Sequence, residues 1–335
     1  MKRFVLEILS ALVVIVAVVA LCDHRRVFAQ EERNNHTGKA WHYLYKYGEP
    51  DGGGVDVMIL GNSHAYTGLL PDLISQTLGK RCFILAAQGV HMTDCFYMLE
   101  EALTVVHPQL LVIETYPLAD YKQKELSGID LSCQYQSFEN RRNVWLKLKS
   151  TPDLFSLDNA PFAWSRTLRN HGYLFDSQGL IIHNLKNPHP PVYEDEEYLG
   201  RFITFTEGLT QATLDRYETE GPPVDGKDMT VGKEAEQALA RIRALCEEKG
   251  IRVMFLTIPM YHLHIQHRSE LEKNLAPYIG DTPWLDLQDP GYDKSFTEDC
   301  FEDTYNPNQH QTVRGAFIST AHLNHFIQQN KLLAD

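Results

Sequence analysis

Two residue types in this sequence suit covalent chemistry: a serine at the end of an apolar strand, and a histidine late in the chain. Gly61-Asn62-Ser63-His64 directly follows the apolar run Val55–Leu60. A Ser just past a strand can present its hydroxyl at the top of a sheet, while the following amides aim at the same spot. Ala65 stands where the lipase elbow G-x-S-x-G needs its second glycine, so that motif is not matched. Gln88-Gly89-Val90-His91 follows a second apolar run, and a glycine there lets a backbone amide approach a ligand closely. The loop from Asp299 to Ala316 carries His310 among Asp303, Asn306 and Asn308. A Ser–His pair needs a base within hydrogen-bond reach and a group that orients its other ring nitrogen. Taken singly, each segment also reads as ordinary turn and cap chemistry.

The elements around these residues predict how they meet. Val55–Leu60, Cys82–Ala86, Leu110–Glu114, Val253–Ile258 and Trp284–Leu287 read as strands. Leu70–Leu78, Thr93–Val106, Lys233–Lys249 and Thr312–Gln329 read as helices, the last with Phe317, Ala321 and Phe326 on one side. Continuously apolar strands alternating with helices mean a parallel sheet covered on both faces. The expected fold is α/β, an open doubly wound sheet with ligands at the carboxyl ends of its strands. Residues 118–231 break the alternation and are rich in aromatics, Trp145 and Trp164 among them. They read as an insertion forming a cap over the strand ends.

Composition sets outer bounds. The 335 residues are 43% hydrophobic and 22% charged, which excludes a disordered or collagen-like chain. A net charge of −13 argues against a nucleic-acid backbone as partner. The six cysteines include no C-x-x-C pair, which disfavours a zinc ribbon or thioredoxin motif. Met1-Lys2-Arg3 precedes the apolar run Phe4–Cys22, 19 residues whose only charge is Glu7. A span needs about 20 apolar residues. The run reads as a signal anchor over 1–22, with a cleaved signal peptide ending near Ala29 as the alternative. Residues 23–54 read as a stalk and lead-in whose Trp41, Tyr43 and Tyr45 dock on the body, and 55–335 as the α/β domain with its insertion at 118–231. Either reading of the leader puts that body outside the cytoplasm.

Gly-x-Ser after the first strand, a glycine after the second, and a late His before the last helix together resemble the SGNH/GDSL hydrolase superfamily. The Gly61-Asn62-Ser63-His64 form behind a membrane anchor is similar to its envelope-associated DltD-like and polysaccharide O-acyltransferase-like branches. His310 with Gly315-Ala316 matches the family's closing block in spacing. The resemblance covers about 55–117 and 250–330. It implies a flavodoxin-like sheet and serine esterase or acyl-transfer chemistry without metal or other cofactor. Ser63 is then the nucleophile, His310 the base, and Ser63, Gly89 and Asn62 the oxyanion donors.

Two departures stand out. Pro307 occupies the family's Asp position three residues before the His, so Asp303 becomes the expected acid, with Glu302 second and Asn306 or Asn308 as uncharged alternatives. The family's Asn after the third strand is replaced by Glu114-Thr115-Tyr116-Pro117, and a carboxylate cannot donate to an oxyanion. His64, Glu114, Tyr116, Tyr261, His262 and Asn308 are expected to line the substrate site. A metal shared by His262, His264 and His267 is the less favoured reading of that segment, because no Asp or Glu completes a ligand set. The expected substrate is an O-acyl group on an envelope glycan, with envelope acyltransferases as partners, on the outer side of the cytoplasmic membrane. The alternative is an inactive domain that binds glycan or assembles an envelope complex through the same cleft.

Overall fold

The computed structural model describes residues 2–29, 36–119, 128–188, 193, 197–202 and 205–333. The Pro190-Pro191 pair and the acidic residues 194–196 of the insertion lie outside them.

Among the described residues seven strands form: β1 (Val57–Gly61), β2 (Cys82–Ala86), β3 (Leu110–Glu114), β4 (Val224–Asp225), β5 (Arg252–Thr257), β6 (Ile265–Gln266) and β7 (Trp284–Asp286). Five of them pair in parallel in the order β2-β1-β3-β5-β7, and β4 and β6 form a separate short ladder. Counting only the strands of the large sheet, that order is 2-1-3-4-5, the flavodoxin-like doubly wound order.

β1, β2 and β3 are buried along their whole length, which explains why they read as unbroken apolar runs. Alternate residues enter two separate cores. Met58, Leu60, Phe83, Leu85, Leu111 and Ile113 face α2 (His36–Tyr47), α5 (Met92–Ala102) and α13 (Lys233–Lys249). Val57, Ile59, Cys82, Ile84, Leu110 and Val112 face α3 (Ser63–Gly68), α4 (Pro71–Leu78) and α15 (Val313–Gln329). α13 follows its sequence pattern to the residue and ends at Gly250, whose φ of +68° supplies the left-handed cap.

α15 packs on the sheet by the face opposite Phe317. Ala316, Ser319, Thr320, Leu323 and Ile327 are buried, whereas Phe317 is 55% exposed and Ala321 is also at the surface. The reason is close approach: a Cβ on Gly315 would sit 2.3 Å from the Cys300 carbonyl oxygen, so small residues must face inward. The lead-in also does more than dock. α2 buries Trp41, Tyr43, Leu44 and Tyr47 in the first core, so this part of 23–54 belongs to the body rather than to a stalk.

The insertion supplies α6 (Gly128–Asn140), α7 (Val144–Leu154), α8 (Ala160–Trp164), α9 (Arg166–Asn170), α10 (Tyr173–Asp176), α11 (Gln178–Lys186) and α12 (Gln211–Glu220). One buried carboxylate ties it to the sheet. Glu101, fully buried on α5, accepts from Arg141 Nε (3.0 Å), the Arg142 and Asn143 amides (2.6 and 2.9 Å) and Tyr45 Oη (2.9 Å). Glu101→Ala strands the buried Arg141 guanidinium. Losing one partner of such a pair costs about 3–5 kcal/mol, and urea unfolding should register a loss of that size. α7 packs on α5, while α6 contacts α2 and α8. The returning chain then runs along the outer edge of β2, where Leu199 O accepts from Ile84 N at 2.9 Å.

α1 (Lys2–His24) carries the apolar run, and its residues Phe4–His24 form, among the described residues, a helix long and apolar enough to cross a membrane.

Candidate active site

The sequence-predicted residues collect at the carboxyl edge of the sheet. β1 ends at Gly61, and a Cβ there would lie 2.8 Å from the Glu114 Cβ and 2.9 Å from the Ala65 Cβ, so only glycine permits the turn. Asn62 caps α3, its Oδ1 accepting from His64 N at 3.0 Å, and this leaves its NH2 as the group able to donate. Ser63 opens the helix and is 3% exposed. Thr67 Oγ1 donates to the Ser63 carbonyl at 2.7 Å, which fixes the Ser63 backbone without using its hydroxyl. Gly89 follows β2 with φ +57°, and a Cβ there would press on Cys133 of α6 at 3.3 Å.

The C-terminal loop folds back on itself as a small hairpin. Phe301 and Gln311 form an antiparallel bridge, and Thr312 N donates to Cys300 O at 3.0 Å. Glu302 and His310 therefore face each other. His310 donates to Glu302 Oε1 from both its backbone N and its Nδ1, each at 2.8 Å. A proton on Nδ1 leaves the neutral ring with a lone pair at Nε2, the tautomer a general base needs. His310 Nε2 is buried and has no hydrogen-bond partner among the described residues.

Asp303 does not reach His310. Side chains alternate along extended backbone, so the residue after Glu302 points the other way. Asp303 Oδ1 accepts from Thr210 N (3.0 Å), Thr210 Oγ1 (3.0 Å) and Thr213 Oγ1 (2.6 Å), bracing the start of α12. Glu302, the second choice on sequence, holds the imidazole. Asn308 orients a different ring: its Oδ1 accepts from His64 Nε2 at 2.8 Å.

His64 links the two halves of the site. Its ring stacks on Tyr116 at 3.7 Å and lies 5.1 Å from the His310 ring. Burial first, and the neighbouring His310 second, hold its pKa well below the usual imidazole value, so His64 is neutral at physiological pH. Tyr116 Oη donates to the Pro307 carbonyl at 3.3 Å, fastening the end of β3 to the histidine loop.

The other expected lining residues divide. Tyr261 turns into the core, its Oη donating to Glu298 at 3.0 Å, and His262 packs beside it, partly exposed. His264 is fully buried against Tyr217 Oη at 2.7 Å, while His267 pairs with Asp225 at 2.9 Å. These histidines point to separate partners and do not converge on one ligand.

Sequence reasoning missed three aromatic neighbours. Tyr66, one turn after Ser63, has its phenol pushed up by burial and by the nearby Cys133, and a hydrogen bond with Ser63 opposes this. Its i+3 spacing from Ser63 on α3 is the signal that finds it. His36 of α2 packs tilted against Tyr66, ring centroids 4.2 Å apart, and Phe205 stacks on His310 at 5.5 Å. Both come from segments distant in sequence, so no local pattern reveals them.

Glu114 changes meaning in three dimensions. Its side chain is buried, with Oε1 accepting from Tyr116 N at 2.8 Å. Burial pushes its pKa from 4.5 up to about 8, against the Tyr116 and Asn62 amides that favour the charged form. At neutral pH most of it keeps its proton, and a carboxylic acid, unlike a carboxylate, can donate. The folded state thus binds a proton that the unfolded chain releases near 4.5. Its contribution to stability is fully present below about 4.5 and is lost as pH rises to about 8. Urea midpoints at pH 5 and pH 8 should differ more in the wild type than in Glu114→Gln.

No family model matches the chain, and no curated protein matches it in sequence.

Proposed function

We propose that the protein is an extracytoplasmic serine esterase or O-acyltransferase of the SGNH type, held at a membrane by α1. The observation that carries this reading is the Glu302–His310 pair, with a buried, unpartnered Nε2 beside the helix that Ser63 begins. In this account Nε2 takes the proton from Ser63 Oγ as the hydroxyl attacks an acyl carbonyl. Glu302 keeps the ring oriented and stabilises the imidazolium that forms. The Ser63 and Gly89 amides and the Asn62 NH2 receive the oxyanion, with the protonated Glu114 replacing the amide that the resembling family carries after its third strand. Collapse of the tetrahedral intermediate expels the alcohol, which takes the proton from His310. Water or a second hydroxyl then releases the acyl group from Ser63.

The substrate is an O-acyl group on an envelope glycan. Support comes from the apolar N-terminal helix and from the resemblance of the Gly61-Asn62-Ser63-His64 turn to envelope-associated members. The insertion contributes to the substrate wall through Cys133 at Gly89 and Phe205 at His310. Purified full-length protein, offered O-acetylated polysaccharide, should release acetate or move it to an added glycan hydroxyl. Polysaccharide that remains fully acetylated, with no acetyl transferred to a sugar hydroxyl, contradicts the reading.

A further inference from the structure

The exposed apolar residues of this protein are not spread over its surface. Outside α1, fourteen large hydrophobic side chains are exposed among the described residues, and eleven of them lie within 144–185. So many in one stretch of chain depart from the ordinary scatter of single exposed side chains.

Their place in the fold says what covers them. The chain leaving α1 packs directly on this part of the insertion. Asp23 Oδ1 accepts from Thr167 N and Oγ1, each at 2.7 Å, at the start of α9. Asn170 Nδ2 donates to Phe28 O, and Asn184 Nδ2 donates to Val27 O and Ala29 O. Val27, Phe28 and Ile181 form a small buried cluster, with Cys22 and Tyr173 against it. Cys22 is the last residue of the apolar run, so α9, α10 and α11 sit level with the point where α1 leaves hydrocarbon. In the two helices that meet this junction, Leu174 and Phe175 are 49% and 81% exposed, and Ile182 and Leu185 are 53% and 59% exposed. Ile182 and Leu185 are three residues apart and share one face of α11. Charge does not oppose contact with anionic headgroups. Residues 128–188 hold seven Lys and Arg against five Asp and Glu, a net of +2 in a chain of −13.

We infer that α10 and α11 lie in the headgroup–acyl boundary of the same bilayer that α1 spans, with Leu174, Phe175, Ile182 and Leu185 inserted into lipid. The inference rests on α1 crossing the membrane. It adds that the domain is held flat on the bilayer by a second contact rather than tethered by one helix. Short helices with an apolar face bind interfaces in this way, and two weak anchors together fix an orientation that one cannot. Since α8 joins α9 to α6, and α6 meets Gly89 through Cys133, the docked face also sets how the carboxyl edge of the sheet stands above the membrane.

Nitroxide accessibility on the full-length protein in phosphatidylcholine–phosphatidylglycerol vesicles tests this. Labels are placed singly at Phe175→Cys and Ile182→Cys, with Val13→Cys in α1 and Phe317→Cys on α15 as references, all in a Cys22→Ser background. The Phe175 and Ile182 labels should show an oxygen-to-nickel accessibility ratio several-fold above that at Phe317, and below that at Val13. Ratios equal to that at Phe317, with Val13 still in lipid, overturn the docking and leave the anchor standing. Labels shielded from both reagents mean that protein, such as a second copy of the chain, covers the face, which also overturns it. A Val13 label exposed to water overturns anchor and docking together. Circular dichroism of each variant shows that the fold is kept.

Discussion

Ser63→Ala is expected to lower acyl release from O-acyl esters by about 10⁴-fold or more, the scale seen when a serine nucleophile is removed from a triad. Its fold should survive. The cap on α3 comes from Asn62 Oδ1, and Thr67 bonds the Ser63 carbonyl, so neither uses the hydroxyl that is lost. Initial rates on a p-nitrophenyl ester and on O-acetylated glycan, with urea midpoints measured in parallel, check both halves. A rate within threefold of wild type on a p-nitrophenyl ester would show that esterase chemistry there proceeds without Ser63.

The second large effect separates neighbouring acids. Glu302→Gln removes the charge that faces His310 Nδ1 and lets the ring take the wrong tautomer, so kcat should fall by about 10²–10⁴-fold. Asp303→Asn alters the side chain that accepts from Thr210 and Thr213, away from His310, and should leave kcat within about threefold, while loosening the start of α12 by about 1 kcal/mol. The two variants therefore move different quantities, kcat in one and stability in the other. A matched loss of kcat in both variants contradicts the assignment of Glu302.

Much of this could be read from the chain. Val57–Gly61, Cys82–Ala86 and Leu110–Glu114 are legible because a strand buried on both faces has no polar residue to interrupt it. Gly61, Ser63 and Gly89 were legible because strand ends in a parallel sheet share one edge, so residues just past them converge. Where sequence reasoning misplaced a residue, the deciding contact was non-local. Nothing in Glu302-Asp303 tells which acid meets His310, because the answer depends on the Phe301–Gln311 bridge that sets the direction of each side chain. Hydrophobicity alone does not mark the inward face of α15, since Phe317 is exposed. Backbone contact with Cys300 demands the small residues beside it instead. Glu114 read as a charge that could not serve an oxyanion, and only its burial shows that it keeps a proton. The insertion resists reading for a different reason. α8, α9 and α10 have five, five and four residues, too short to show a helical period.

The central claim is that Ser63 is a nucleophile activated by His310, and a fluorophosphonate probe with peptide mapping tests it most directly. The account predicts one phosphonylated residue, Ser63, with labelling lost in Ser63→Ala and slowed at least about a hundredfold in His310→Ala. Intact, folded protein that takes no label, or that is labelled at another residue at a rate His310→Ala does not change, would contradict it.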